Sequence, residues 1–343
     1  MDNGTSQMRR EVLEIPTAVD RLLADGAPAI QAAATALGTL DPPFLTSVAR
    51  GSSDHVATYL KYVSELLLGV PVASVGPSVA SIYHAPLRLT GSACLAISQS
   101  GKSPDIVALA KSAGEGGALT LALTNNPGSP LAEVSTHCLD IQAGPEFSVA
   151  ATKTFVNSAV AGLWLMAEWR QDADLLAAIH ALPETLARAA QIDWPELRTA
   201  LTNWSSLFTL GRGPAFAMSN EAALKLKETC QIHAESYSSA EVLHGPVSII
   251  GAGFPVLGLV SRDAAQQMLV EVADHLADRG AESFVTSRQA TKATCLECVR
   301  TAHPLSDPIA LITSFYATVE RLAVSRGIDP DQPRHLKKVT ETV

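Results

Sequence analysis

No apolar stretch in this chain reaches the roughly 20 residues that a helix needs to cross a bilayer. Residues 1–10 are polar and lack the apolar core of a signal peptide, so the expectation is a cytoplasmic protein with no membrane partner. Cysteine is sparse. Cys94, Cys138, Cys230, Cys295 and Cys298 are an odd, scattered five, which does not read as a disulfide framework. Cys295 and Cys298 have C-x-x-C spacing, but no second cysteine or histidine pair stands nearby to complete a zinc site. A buried strand edge is expected there, and no metal. Positive charge is also short, with 25 Lys and Arg against 34 Asp and Glu, giving −9 at pH 7. Such a balance disfavours non-specific nucleic-acid binding. The glycine patterns of nucleotide sites are missing too: there is no Walker A sequence, and Gly211-Arg212-Gly213 is only a fragment of G-x-G-x-x-G. No cofactor is expected.

What the chain does have is 343 residues, 47% of them hydrophobic, enough for two packed cores. Its first half repeats one grammar, in which an apolar run leads through a small polar loop into a helical stretch. Residues 44–49 lead through Arg50-Gly51-Ser52-Ser53-Asp54 into a helix over 55–68. Residues 93–97 lead through a loop at 98–103 into a helix from Pro104, and 119–123 through a turn into a short helix from Pro130. Apolar strands without alternation, separated by helices, predict a parallel sheet covered on both faces. Long helices are expected over 150–170 and 174–190, with a boundary near Pro195. The grammar restarts at residues 207–213, with a helix over about 219–230 and strands over 255–260 and 282–286. The expected organisation is an α/β protein of two tandem doubly wound domains. Residues 1–195 form an N-terminal helical segment and the first domain, 196–326 the second, and 327–343 a tail, frayed unless it docks.

Ligands of such sheets sit beyond the carboxyl ends of the strands. The loop Ser98-Gln99-Ser100-Gly101-Lys102-Ser103 lies there, with Ser103 placed as N-cap and Pro104 as first helical residue. Helix-start amides and the helix dipole favour an anion, and three serines and a glycine suit a tetrahedral phosphate. The same segment also reads as a well-capped βα turn. Gly51-Ser52-Ser53 is a weaker companion loop. Farther on, Glu221, Lys225 and Glu228 share one helical face at i, i+4 and i+7, and His244 precedes Gly245-Pro246 in a turn. A carboxylate, an amine and an imidazole are the parts for proton transfer at carbon. A solvated charged face is the alternative.

Five ordered motifs, Ser98-Gln-Ser-Gly101, Val149-Ala-Ala-Thr-Lys153, Glu221-Ala-Ala-Leu-Lys-Leu-Lys-Glu228, Glu241-Val-Leu-His-Gly-Pro246 and Asp331-Gln-Pro-Arg-His-Leu-Lys-Lys338, resemble the sugar isomerase (SIS) domain family. The resemblance extends to the isomerase half of glutamine:fructose-6-phosphate aminotransferase and to SIS-type glucosamine-6-phosphate deaminases. It implies flavodoxin-like domains, a homodimer with shared active sites, and a phosphorylated amino sugar as ligand. It implies that Ser98, Gln99, Ser100 and Ser103 hold phosphate while Ser52, with Ser53 beside it, Val149 and Ala151 line the sugar. Glu228 would be the C1/C2 base, His244 the ring-opening residue, Lys338 a Schiff-base lysine and Lys225 a lysine beside the base. With only about 40 residues ahead of the first strand, glutamine-dependent amination is not expected, and deamination of glucosamine 6-phosphate is. A deglycase of an amino-acid-linked sugar phosphate, a galactosamine-6-phosphate deaminase and a non-catalytic sugar-phosphate sensor are the alternatives. Three departures from the aminotransferase pattern stand out: Lys102 where an acid is usual, Arg50 for a small residue, and Ala151 for a serine.

Overall fold

The computed structural model describes residues 5–338, which pack as two compact units. One comprises residues 17–146, 153–180 and 337–338, and the other residues 5–16, 147–152 and 181–336. The chain opens with helices α1 (Gln7–Asp25) and α2 (Ala27–Leu40). The first sheet follows, with β1 (Leu45–Val48), α3 (Ser52–Leu67), β2 (Val72–Ser74), α4 (Ser78–Ser81), β3 (Ala93–Ile97), α5 (Pro104–Glu115), β4 (Leu119–Thr124), α6 (Pro130–Glu133) and β5 (His137–Asp140). Helices α7 (Lys153–Arg170) and α8 (Ala173–His180) complete this unit. All pairings are parallel, in the order β2-β1-β3-β4-β5. Strands β1 and β3 are buried throughout, and β3 accordingly reads as an unbroken apolar run. On one face Val48, Cys94 and Ala96 pack with Ile106, Leu109 and Ala110 of α5. On α7, Gly162 lies so close to Leu60 of α3 that no side chain fits between them.

The second sheet uses α9 (Leu182–Ala189), α10 (Pro195–Leu201), β6 (Ser206–Gly211), α11 (Pro214–Cys230), β7 (His233–Ser238), β8 (Pro255–Gly258), α12 (Gln266–Asp278), β9 (Glu282–Val285), β10 (Thr294–Cys295) and α13 (Asp307–Ser325). Its order is β10-β9-β8-β6-β7, again all parallel, so both sheets share one topology. Each order reverses beside its first strand, between β1 and β3 and between β6 and β8. That switch point is where the loops diverge and leave a crevice. The two halves also match in backbone detail. Gly51 after β1 has φ 56° and ψ −132°, and Gly213 after β6 has φ 57° and ψ −138°. Both are the residue before a helix, in a conformation that glycine adopts readily.

The two doubly wound domains are therefore as expected, with local differences. Ser52 and Ser53 belong to the first turn of α3 and not to the preceding loop. The single helix expected over 174–190 is broken at Ala181, because Pro183 has no N–H to continue it and starts α9 instead. The helix after β6 begins at Pro214, earlier than the pattern suggested. Cys295 lies on the edge strand β10 but is exposed, so the buried edge is corrected. Strands β2, β5 and β7 went unread. β2 is only three residues long, and the half-buried polar β5 and β7 lack an apolar run. The tail docks where it is described: the Asp331 carboxylate accepts the backbone N–H groups of Gln7 and Met8, each at 2.7 Å, at the start of α1. Residues 339–343 lie outside the described part. Among the described residues no helix is long and apolar enough to cross a membrane.

Candidate functional site

The loop after β3 is held in shape by its own serines. The Ser98 hydroxyl accepts the Gly101 N–H at 3.2 Å, and the Ser100 hydroxyl accepts that of Lys102 at 3.3 Å. The carbonyl of Gln99 receives the Asn125 N–H at 3.1 Å, tying the loop to the one after β4. Gly101 has φ +64°, and a Cβ there would run into Ser129. Glycine is thus required twice, by conformation and by space. Ser103 occupies the N-cap position of α5 as expected, but its side chain makes no capping bond to the helix. That hydroxyl stands at a helix start whose dipole favours negative charge. Ser98 is buried, while Gln99, Ser100 and Ser103 are half-buried and Lys102 is exposed.

Across the β1/β3 switch point, half-buried Ser52 and Ser53 begin α3. Arg50 joins the loop after β1 to the start of α5: its Nε donates to Asp105 Oδ2 at 2.8 Å and its Nη2 lies 2.7 Å from the same oxygen. In the first turn of α3, burial pushes the Asp54 carboxyl above its ordinary value, against the opposing charges of His55 and Arg50.

The carboxylates and amine of α11 meet as the spacing suggested. Lys225 is fully buried, with Nζ bonded to Glu228 Oε2 and 3.2 Å from Glu221 Oε1. Glu221 is also buried and accepts the Tyr316 hydroxyl of α13 at 3.0 Å. Burial alone would lower the Lys225 pKa, but the charges of Glu221 and Glu228 override it and hold it above the ordinary lysine value. The solvated-face alternative fails here. Glu228 alone of the three keeps an open side, its side chain 20% exposed. One cation between two carboxylates thus leaves a net negative charge at the open end.

His244 is exposed at the junction of two short 3-10 turns, Glu241–Leu243 and Pro246–Ile249. Its backbone N–H donates to the Glu241 carbonyl at 2.9 Å. Val149 and Ala151 are half-buried in a segment fastened by the tail, the Val149 N–H reaching the Asp331 carbonyl at 3.4 Å. Lys338 packs in the unit of the Ser98 loop, its Nζ 2.7 Å from Glu146 Oε2. The Glu146 side chain is buried and also accepts the Thr154 hydroxyl at 2.7 Å and N–H at 3.1 Å, at the start of α7. Glu146 and Tyr316 were not found from sequence. The one available signal for Glu146 was an acid standing alone in an otherwise uncharged stretch between Asp140 and Lys153.

A family profile described as the SIS domain matches residues 45–167 and 200–325, one stretch for each sheet. The glutamine–fructose-6-phosphate aminotransferase (isomerizing) of Leifsonia xyli subsp. xyli is 33% identical over an alignment of 97% of this chain and 58% of that protein. The aligned stretch is thus little more than half the length of that curated relative. Among solved structures, a protein from Silicibacter pomeroyi DSS-3, provisionally described as a phosphosugar isomerase, superimposes with a TM-score of 0.93 at 62% identity, covering 95% of this chain and 100% of that one. The glucosamine-6-phosphate deaminase of Thermotoga maritima superimposes with a TM-score of 0.78 at 18% identity, covering 98% of this chain and 100% of that one, a likeness of fold alone.

Proposed function

This chain belongs to the SIS domain family, and from that premise we propose that it is a phosphosugar isomerase acting on an amino-sugar phosphate. Glucosamine 6-phosphate is the substrate we favour, converted to fructose 6-phosphate and ammonia. The observation that carries the isomerase reading is the partly open carboxylate of Glu228 on a buried, charged lysine. Moving a proton between neighbouring sugar carbons needs a base that is ionised, held in place and reachable by substrate. The bond from Lys225 holds the Glu228 carboxylate in place, and its open side makes it reachable.

In this reading the phosphate rests on Ser98, Gln99, Ser100 and Ser103 at the start of α5, while Ser52, Ser53, Val149 and Ala151 line the sugar. His244 opens the ring. Glu228 takes the proton from C2 and returns it to C1, giving a ketose imine. Water then adds to C2 and ammonia leaves. Lys338 is the amine offered to the open-chain ketose, and the family resemblance, not its geometry, suggests that role. The amino group of the substrate is likewise supported by the resemblance alone. The resemblance also supports a homodimer with shared sites.

Ammonium release from purified protein supplied with glucosamine 6-phosphate tests the reading. Release at a rate dependent on Glu228 supports it. Release only from galactosamine 6-phosphate or from an amino-acid-linked sugar phosphate would reassign the substrate. Binding of sugar phosphates without any turnover would make the protein a sensor.

A further inference from the structure

Arg50 has no place in the reaction as described, yet it makes a connection unlike an ordinary surface ion pair. Its partner Asp105 is completely buried, while its own side chain is half exposed. Asp105 lies in the first turn of α5, directly after Ser103 and Pro104, and its Oδ1 accepts the Ile106 N–H at 2.9 Å. A buried carboxylate therefore sits at the helix start that would receive a phosphate. Helix dipoles favour an anion at this end, but two anions there repel each other. The guanidinium on Oδ2 converts the carboxylate into a neutral pair. The same two contacts run from the loop after β1 to the helix after β3, so they also set the separation of the loops at the switch point. Lysine would not do both, because only the planar fork presents two donors to one oxygen.

We propose that Arg50, clamped on Asp105, is a positioning residue that neutralises the α5 start and fixes the Ser98–Ser103 loop for a dianionic phosphate ester. It acts through Asp105 and the loop, and substrate need not touch it. The inference rests on the phosphate reading of the Ser98 loop, not on the identity of the sugar.

The test uses the full chain and calorimetric titration with inorganic phosphate, alongside kinetics with glucosamine 6-phosphate. Arg50→Met should weaken phosphate binding by about tenfold or more and raise KM by a similar factor, with kcat at saturation changed by less than about threefold. The double variant Arg50→Met/Asp105→Asn, which removes both charges, should bind phosphate more tightly than Arg50→Met does. A merely structural ion pair would lower melting temperature without this split between KM and kcat. Wild-type phosphate affinity in folded Arg50→Met overturns the proposal, and so does a double variant no better than the single one. If Arg50→Met does not fold, the double variant decides against wild type: a loss of less than about tenfold supports the proposal, and a larger loss overturns it. Phosphate binding that depends on Arg50 without ammonium release would sink the proposed substrate and leave this inference standing. A wild-type protein that binds no phosphate would sink the inference.

Discussion

Lys225 holds a charge in the protein interior, and two carboxylates make that tolerable. Removing it leaves Glu221 buried beside Glu228 with no cation between them. Lys225→Met is expected to cost about 3 kcal/mol or more, since breaking a buried ion pair strands its partner, and thermal unfolding would measure it. The pH dependence follows from the sign of its shift. The folded pKa lies above the ordinary 10.5, so the charged lysine contributes its full stabilisation below 10.5 and loses it only as pH climbs through the higher folded value. The gap in melting temperature between wild type and Lys225→Met should therefore stay level from pH 7 to pH 10. A gap that closes over that range would mean that the amine is neutral. Glu228→Gln keeps shape and removes the proposed base. It should reduce turnover by about 10²–10⁴ while sugar-phosphate affinity changes little, as initial rates and calorimetry would show.

Single bonds act through the elements they fasten. Gly101 turns the chain from β3 into α5 with a positive φ in a space too small for a Cβ. Gly101→Ala should thus distort the whole Ser98–Ser103 loop, costing about 1–3 kcal/mol and weakening phosphate binding, read by unfolding and by calorimetry. A variant with wild-type phosphate affinity would remove that loop from the binding site. On α12, Asp274 accepts the N–H groups of Thr291, Lys292 and Ala293 and the Thr291 hydroxyl, and so fastens the loop before β10. Desolvation pushes its carboxyl up, but those bonds win and hold it at about 2. Because the folded value is depressed, the stabilisation is present above the ordinary 3.8 and disappears as pH falls through about 2. Asp274→Asn should melt below wild type at pH 7, and the two should converge near pH 2.

For the molecule as a whole, a homodimer with shared sites predicts a specific mixing result. Glu228→Gln and Glu228-intact His244→Asn chains, each inactive alone, should regain about a quarter of wild-type activity when unfolded together and refolded, because random pairing makes half the dimers mixed and each has one intact site. No recovery in a preparation shown to contain mixed dimers would place both residues of a site on one chain. At this scale the sequence was legible where a strand is buried on both sides: β1, β3, β4 and β6 announce themselves as apolar runs. It was silent at β5 and β7, whose half-buried positions carry His, Glu and Ser, and at Ala181, where the apolar pattern continued through a helix break.

The sequence by itself determined the alternation of strands and helices, the glycine at the Ser98 loop and the shared face of Glu221, Lys225 and Glu228, because each depends on residues within a turn or two of one another. Only the tertiary structure decided which of those groups are buried and what holds them. Tyr316 reaches Glu221 across 95 residues, Lys338 reaches Glu146 across 192, and Arg50 reaches Asp105 across 55. Local pattern cannot encode such pairings, since a polar side chain has the same propensity whether solvent or a distant partner satisfies it. Burial removes the solvent option, and the fold then supplies the partner.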